Sequence, residues 1–299
     1  MRLAHITRIA AVAAAVVLAA TACGDQSSSL GGSSGAAPSV AQGASFPAGS
    51  TMEALNKAQT IRVGTKYDQP LFGLKGLDGN PAGFDVEISK IIAAKLGIPA
   101  DKITFTEAPS AVREEVIEQN RVDMVVATYT INDKRKERIS FAGPYYVAGQ
   151  DLMVKSDNTT ITGPDSLRAA NAKVCSVSGS TPSENIKKYI DPANLTLFDV
   201  YSKCADALRT GQVDVVTTDN VILTGLIEQS NGAFKLVNHK FTEEPYGIGI
   251  KKGDVAFCEF IDQTLKEAEA DGSYKAAWDS TVGKVTPEVP PLPAAGACS

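Results

Sequence analysis

Gln119-Asn120-Arg121-Val122-Asp123-Met124-Val125-Val126-Ala127-Thr128 returns further along the chain as Thr210-Gly211-Gln212-Val213-Asp214-Val215-Val216-Thr217-Thr218-Asp219. In both copies a polar turn leads through Val-Asp into a run of β-formers and ends on a hydroxyl or carboxyl side chain. Each copy follows a segment that reads as a serine-capped helix, Ser110 opening residues 110–119 and Ser202 opening residues 202–209. Working outward from the first copy, residues 61–65, 103–106 and 122–128 read as strands. Between the first two, Val86, Ile88, Ile91, Ile92 and Leu96 keep helical spacing until Gly97 and Pro99 end it, and residues 133–138 read as a further helix. Around the second copy the strands are 173–177, 195–198 and 213–218, and Thr181-Pro182-Ser183-Glu184 reads as a capping box with proline at the first helical position. This alternation predicts a parallel α/β sheet in each of two lobes, although a short echo also fits ordinary βαβ grammar. A strand at 246–250, a helix at 255–270 and Trp278 follow, and their return to the first lobe would leave two crossovers, near residues 146–150 and 242–245. Ligands of open α/β sheets bind beyond the carboxyl ends of the strands, so Thr128 and Asp219 mark equivalent places in a cleft.

Composition narrows the function. The chain has 299 residues, enough for two modest lobes, and 29 basic against 34 acidic residues exclude nucleic-acid binding by bulk charge. Two histidines, one of them His5, argue against a histidine metal site, and five cysteines without a C-x-x-C pair argue against zinc ribbons and thioredoxin chemistry.

Residues 1–22 read as an export signal: Arg2 and Arg8 precede an apolar run from 9 to 22 that is shorter than the roughly 20 residues a bilayer span needs. Ala20-Thr21-Ala22-Cys23 resembles a bacterial lipobox, with Ala20 where leucine is usual, and makes Cys23 the lipidated mature N-terminus; ordinary cleavage is the alternative. Residues 23–50, rich in Ser, Gly and Ala, read as a flexible tether. With Cys23 lipidated, four cysteines remain, and chain order suggests Cys175–Cys204 and Cys258–Cys298, the second pinning a Pro-rich tail at 286–299; free buried thiols are the other reading.

The sequence has no P-loop, H-E-x-x-H or G-x-G-x-x-G, and Gly247-Ile248-Gly249 reads as close packing within a strand. Gly83-Phe84-Asp85-Val86-Glu87-Ile88, Ala127-Thr128-Tyr129-Thr130-Ile131-Asn132-Asp133-Lys134-Arg135 and Phe141-Ala142-Gly143-Pro144-Tyr145-Tyr146 resemble the extracellular solute-binding proteins of polar amino-acid ABC transporters. The likeness covers about residues 55–282. The stretches 64–70, 174–182 and 244–248 resemble the glutamate-binding branch of actinobacteria.

The resemblance implies an α/β, two-lobed, type II periplasmic-binding-protein-like fold with two hinge-crossing strands, lobe 1 being 51–148 plus 246–285 and lobe 2 being 149–245. It implies a monomeric, lipid-anchored receptor on the extracellular face of the membrane, without cofactor or metal. The receptor would pass L-glutamate, or L-aspartate, to an ABC permease and its ATPase subunits. A sensor subunit for a membrane kinase and a cyclohexadienyl-dehydratase-like enzyme are the rival readings. By resemblance Arg135 grips the ligand α-carboxylate as a planar fork of donors. Thr130 supports the same carboxylate, Thr128 accepts from the ammonium through its backbone, and Asp219 pairs with the ammonium. Thr181 heads a helix whose N-terminus favours an anion. Lys66 and Arg113 match positions that face a distal carboxylate. Read without the resemblance, Thr181 and Asp219 are helix caps and Lys66 and Arg113 are solvated surface charges.

Overall fold

The computed structural model describes residues 38–298; the expected export signal and Cys23 lie outside them. Helix α1 (Thr51–Ala58) precedes β1 (Ile61–Thr65), a small meander of β2 (Asp68–Gln69), β3 (Gly73–Lys75) and β4 (Pro81–Ala82), and helix α2 (Phe84–Lys95). Then come β5 (Ile103–Glu107), α3 (Arg113–Glu118), β6 (Met124–Val125), α4 (Asp133–Lys136), β7 (Ser140–Ala148) and β8 (Gln150–Lys155). The second half runs α5 (Ser166–Ala169), β9 (Val174–Val177), α6 (Thr181–Asn185), β10 (Leu195–Phe198), α7 (Tyr201–Thr210), β11 (Val215–Asp219), α8 (Asn220–Glu228) and β12 (Phe234–Leu236). Strand β13 (Glu244–Ile250) and helices α9 (Val255–Asp271) and α10 (Ser273–Ser280) close the chain.

Two five-stranded sheets result, ordered β5-β1-β6-β13-β7 and β10-β9-β11-β8-β12. In each, three parallel strands are followed by one that runs antiparallel, β13 or β8, and an edge strand, β7 or β12, that runs with the first three, so the expected all-parallel sheets are mixed. The antiparallel strands come from the crossings: β7 runs into β8 through Gly149, and the chain returns after β12 to β13, which pairs with β7 from Glu244↔Ala148 to Ile250↔Ser140.

The sequence echo is a structural repeat. Asp123 Oδ2 accepts the Arg62 N–H at 2.7 Å, and Asp214 Oδ2 accepts the Lys173 N–H at 2.9 Å, so one aspartate pins the start of the neighbouring strand in each sheet. Asn120 and Gly211 both take positive φ, 52° and 78°, in the turn before it. Ladder pairing, however, is confined to Met124–Val125 in the first copy, shorter than the 122–128 expected. Beyond it the backbone turns sharply at Thr128.

Three capping expectations fail for identifiable reasons. Ser110 begins a 3₁₀ turn and makes no cap bond; its hydroxyl instead accepts from Lys66. Ser180, not Thr181, caps α6, its Oγ accepting the Ser183 N–H at 3.1 Å. Helix α7 starts at Tyr201, before Ser202, with no side-chain cap from its own segment. The tether expected through residue 50 is also shorter than read: Ala41 N–H donates to Ala94 O at 2.9 Å, Phe46 meets Phe260 edge-on at 5.7 Å, and Ser50 caps α1.

Glycine within β13 allows close packing, since a Cβ on Gly247 would lie 2.6 Å from Ile131 and one on Gly249 2.9 Å from the Tyr129 ring. Disulfides join Cys175 to Cys204, tying β9 to α7, and Cys258 to Cys298, tying the tail to α9. The tail also meets the strand that crosses between the sheets, Gly296 N–H donating to Gly143 O at 2.8 Å. No helix among the described residues is long and apolar enough to cross a membrane.

Candidate functional site

The first wall of the site is built on the end of β6. Thr128, a β-branched residue, sits at φ 45°, a conformation such residues rarely adopt unless held. Asp85, in the first turn of α2, holds it: Oδ2 accepts the Thr128 N–H at 2.8 Å while Oδ1 accepts the Tyr145 hydroxyl at 2.6 Å. Burial pushes Asp85 up to about 7 against the pull of those two bonds. The Thr128 hydroxyl donates to Gln69 Oε1 at 2.9 Å, which brings the β2 loop onto the same wall.

Three cations belong to this wall, and none is a surface charge: Lys66, Arg113 and Arg135 are 3%, 2% and 6% exposed. Arg113 donates from Nη1 to Ala127 O and Thr128 O at 2.9 and 3.3 Å, and its guanidinium lies 4.0 Å from the Tyr129 ring centroid. Arg135 lies 4.9 Å from the same ring. It donates from Nη1 to Thr130 O at 2.6 Å and from Nη2 to Gly179 O at 3.0 Å, with Nε 3.3 Å from Glu114. A guanidinium has five N–H bonds, so two remain for another acceptor. Burial and the neighbouring Arg113 lower Arg135 to about 10. The Lys66 ammonium donates to Ser110 Oγ at 2.8 Å, and burial, then Arg113, lowers it to about 7.

The opposite wall comes from the second sheet. Asp219 stands before α8 but makes no capping bond; its Oδ2 accepts the Tyr246 hydroxyl at 2.6 Å. Burial and then Glu244 raise Asp219 to about 7, against the Tyr246 bond. Because Ser180 does the capping, the Thr181 hydroxyl is free to donate to Glu244 Oε2 at 2.7 Å, and it lies 3.3 Å from Thr130 Oγ1 on the first wall.

Between the walls lies a narrow cavity of about 10 Å³, room for about one water molecule with the walls this close together. Arg113, Thr128, Thr130, Thr181 and Asp219 line it directly. Lys66 stands behind Ser110, which does line it, and Arg135 stands at the outer mouth beside Gly179 and Glu114. Nine buried side-chain polar atoms among the described residues lack a partner. Five of them belong to residues lining this cavity: Gln69 Nε2, Arg113 Nε, Tyr201 Oη, Thr218 Oγ1 and Asp219 Oδ1. Buried polar groups are otherwise nearly always paired, so their convergence marks a place built for polar contacts. Donors gather on the cationic wall and a carboxylate oxygen faces them, which suits a small solute carrying both signs of charge.

The model of the bacterial extracellular solute-binding proteins, family 3, matches residues 61–283. This chain belongs to that family. It is 36% identical over 290 residues to the glutamate-binding protein GluB of Corynebacterium glutamicum, covering 93% of this chain and 91% of that one. It is 38% identical over 225 residues to the ABC transporter glutamine-binding protein GlnH of Bacillus subtilis, covering 75% and 81%. The structure of an ancestral arginine-binding protein bound to glutamine aligns with TM-score 0.70 and 34% identity, covering 75% of this chain and 98% of that one. The fold is thus the two-lobed type II periplasmic-binding architecture, and the protein is an extracellular solute-binding protein, not an enzyme.

Five site members escape a reading of the sequence: Gln69, Asp85, Tyr201, Glu244 and Tyr246. Asp85 left a signal, an acid among the apolar residues on the buried face of α2. The other four reach the site only through tertiary folding, and local spacing carries no trace of it.

Proposed function

We propose that this family-3 solute-binding protein captures an acidic amino acid, L-glutamate before L-aspartate, in the interlobe cavity and delivers it to an ABC permease and its ATPase subunits. One observation supports this above others: unpartnered donors of Gln69 and Arg113 and the unpartnered Asp219 Oδ1 share one small cavity. Asp219 takes the ammonium, and the two uncommitted N–H bonds of Arg135, with Thr130, take the α-carboxylate. Arg113 and Lys66 favour an anion at the distal end. The names of GluB and GlnH, a glutamate-binding and a glutamine-binding protein, fit a ligand of this shape. A lipid on Cys23 anchors the monomer to the extracellular face of the membrane.

Calorimetry of the mature protein against the twenty amino acids tests the ligand. Glutamate should bind at least about tenfold tighter than glutamine, because unpaired buried cations cost roughly 1–3 kcal/mol. Equal affinities would refute the acidic-ligand reading. Cys23→Ser should move the protein from the membrane fraction to the medium, and retention in the membrane would refute the anchor.

A further inference from the structure

Helix α7 belongs to the second sheet, yet the group at its first turn comes from the other side of the cavity. Val200 stands at the N-cap position and gives no side-chain bond. The Tyr201 N–H donates instead to Asp68 Oδ2 at 2.6 Å, and Asp68 belongs to β2. Just beyond, Pro70 lies against α8 so closely that a Cβ on Gly225 would fall 2.5 Å from Pro70 O. Between these two contacts Gln69 is buried and lines the cavity. One short loop therefore reads the cavity with Gln69 and grips the opposite lobe with the residue on either side. Tyr201 lines the same cavity, and Cys204, one turn further along α7, is joined to Cys175 of β9, which fixes this helix end to its own sheet.

These contacts can form only while the lobes are together. On separation, the first N–H of α7 loses an acceptor whose charge also suits the positive end of a ten-residue helix. We infer that Asp68, with the space left at Gly225, is the closing latch of this protein. It sets the balance between open and closed forms and so scales affinity for every ligand alike, instead of selecting a ligand side chain. Apparent affinity falls with the fraction of protein able to close, which gives the latch its leverage. The inference rests on the interlobe binding site proposed above.

The test compares Asp68→Ala, Asp68→Asn and Gly225→Ala with the wild type, using calorimetry with glutamate and with glutamine and amide hydrogen exchange at Tyr201. Asp68→Ala should weaken both ligands by the same factor, roughly two- to thirtyfold, the span of a lost helix cap. Asp68→Asn keeps an acceptor and should fall between wild type and Asp68→Ala. Gly225→Ala, a wedge under Pro70, should weaken both ligands together. A loss confined to glutamate would mean that Asp68 acts through the charge of nearby Lys66, and would overturn the latch; so would unchanged affinities in Asp68→Ala. Should the wild type bind neither ligand, the proposed function fails and the latch is still read in the free protein. There the Tyr201 amide should exchange faster in Asp68→Ala, and equal rates overturn it.

Discussion

The first and second sheets share strand order, and Asp123 and Asp214 do the same work in each, but the faces they turn to the cavity differ in charge. Lys66, Arg113 and Arg135 all stand on the first wall, while Asp219 stands on the second with Glu244 beside it. The repeated pieces are ladder and turn residues, whose geometry the fold dictates. The charged residues sit at or beyond strand ends, where the backbone repeat does not constrain the side chain. A duplicated scaffold can therefore carry an asymmetric site, and a solute with separated charges enters it in one orientation.

Neutralising either wall should break this contrast most severely. Arg135→Ala and Asp219→Asn should each weaken glutamate binding by at least about a hundredfold, since removing one partner of a buried charge pair strands the other. Calorimetry on variants that still melt cooperatively reads the loss; affinity within threefold of wild type in either would remove that residue from the site.

The two walls should also titrate in opposite senses. Asp219, raised to about 7, must lose its proton to pair with an ammonium, so affinity should rise as pH increases through that region. Lys66, lowered to about 7, must keep its proton to favour a distal carboxylate, so affinity should fall as pH increases further. Glutamate affinity is then bell-shaped with its maximum near pH 7, whereas glutamine, with no distal anion, keeps only the acid limb. Titrations from pH 5 to 9 with both ligands check this, and the same alkaline fall for glutamine would remove Lys66 from the distal end.

Much of this was legible because it is local. The two Val-Asp turns, the helix over 84–95 and the glycines of β13 follow from spacing and propensity. The cap of α6 slipped by one residue because Ser180 and Thr181 are both good caps, and only the chain path decides between them. The first turn of α7 could not be read at all, since its partner, Asp68, lies 133 residues away. Resemblance pointed to the three cations, but only burial separates them from solvated charges, and only the fold sets Arg113 in the cavity, Lys66 behind Ser110 and Arg135 at the mouth.

The division of charge between the walls is tested most directly by the ratio of glutamate to glutamine affinity in a Lys66→Gln/Arg113→Gln double variant, measured by calorimetry beside the wild type. The ratio should be about ten or more in the wild type and shrink to near one or invert in the variant, because the cost of facing unpaired cations disappears with them. A wild-type preference for glutamate that survives both substitutions unchanged would contradict that division of charge.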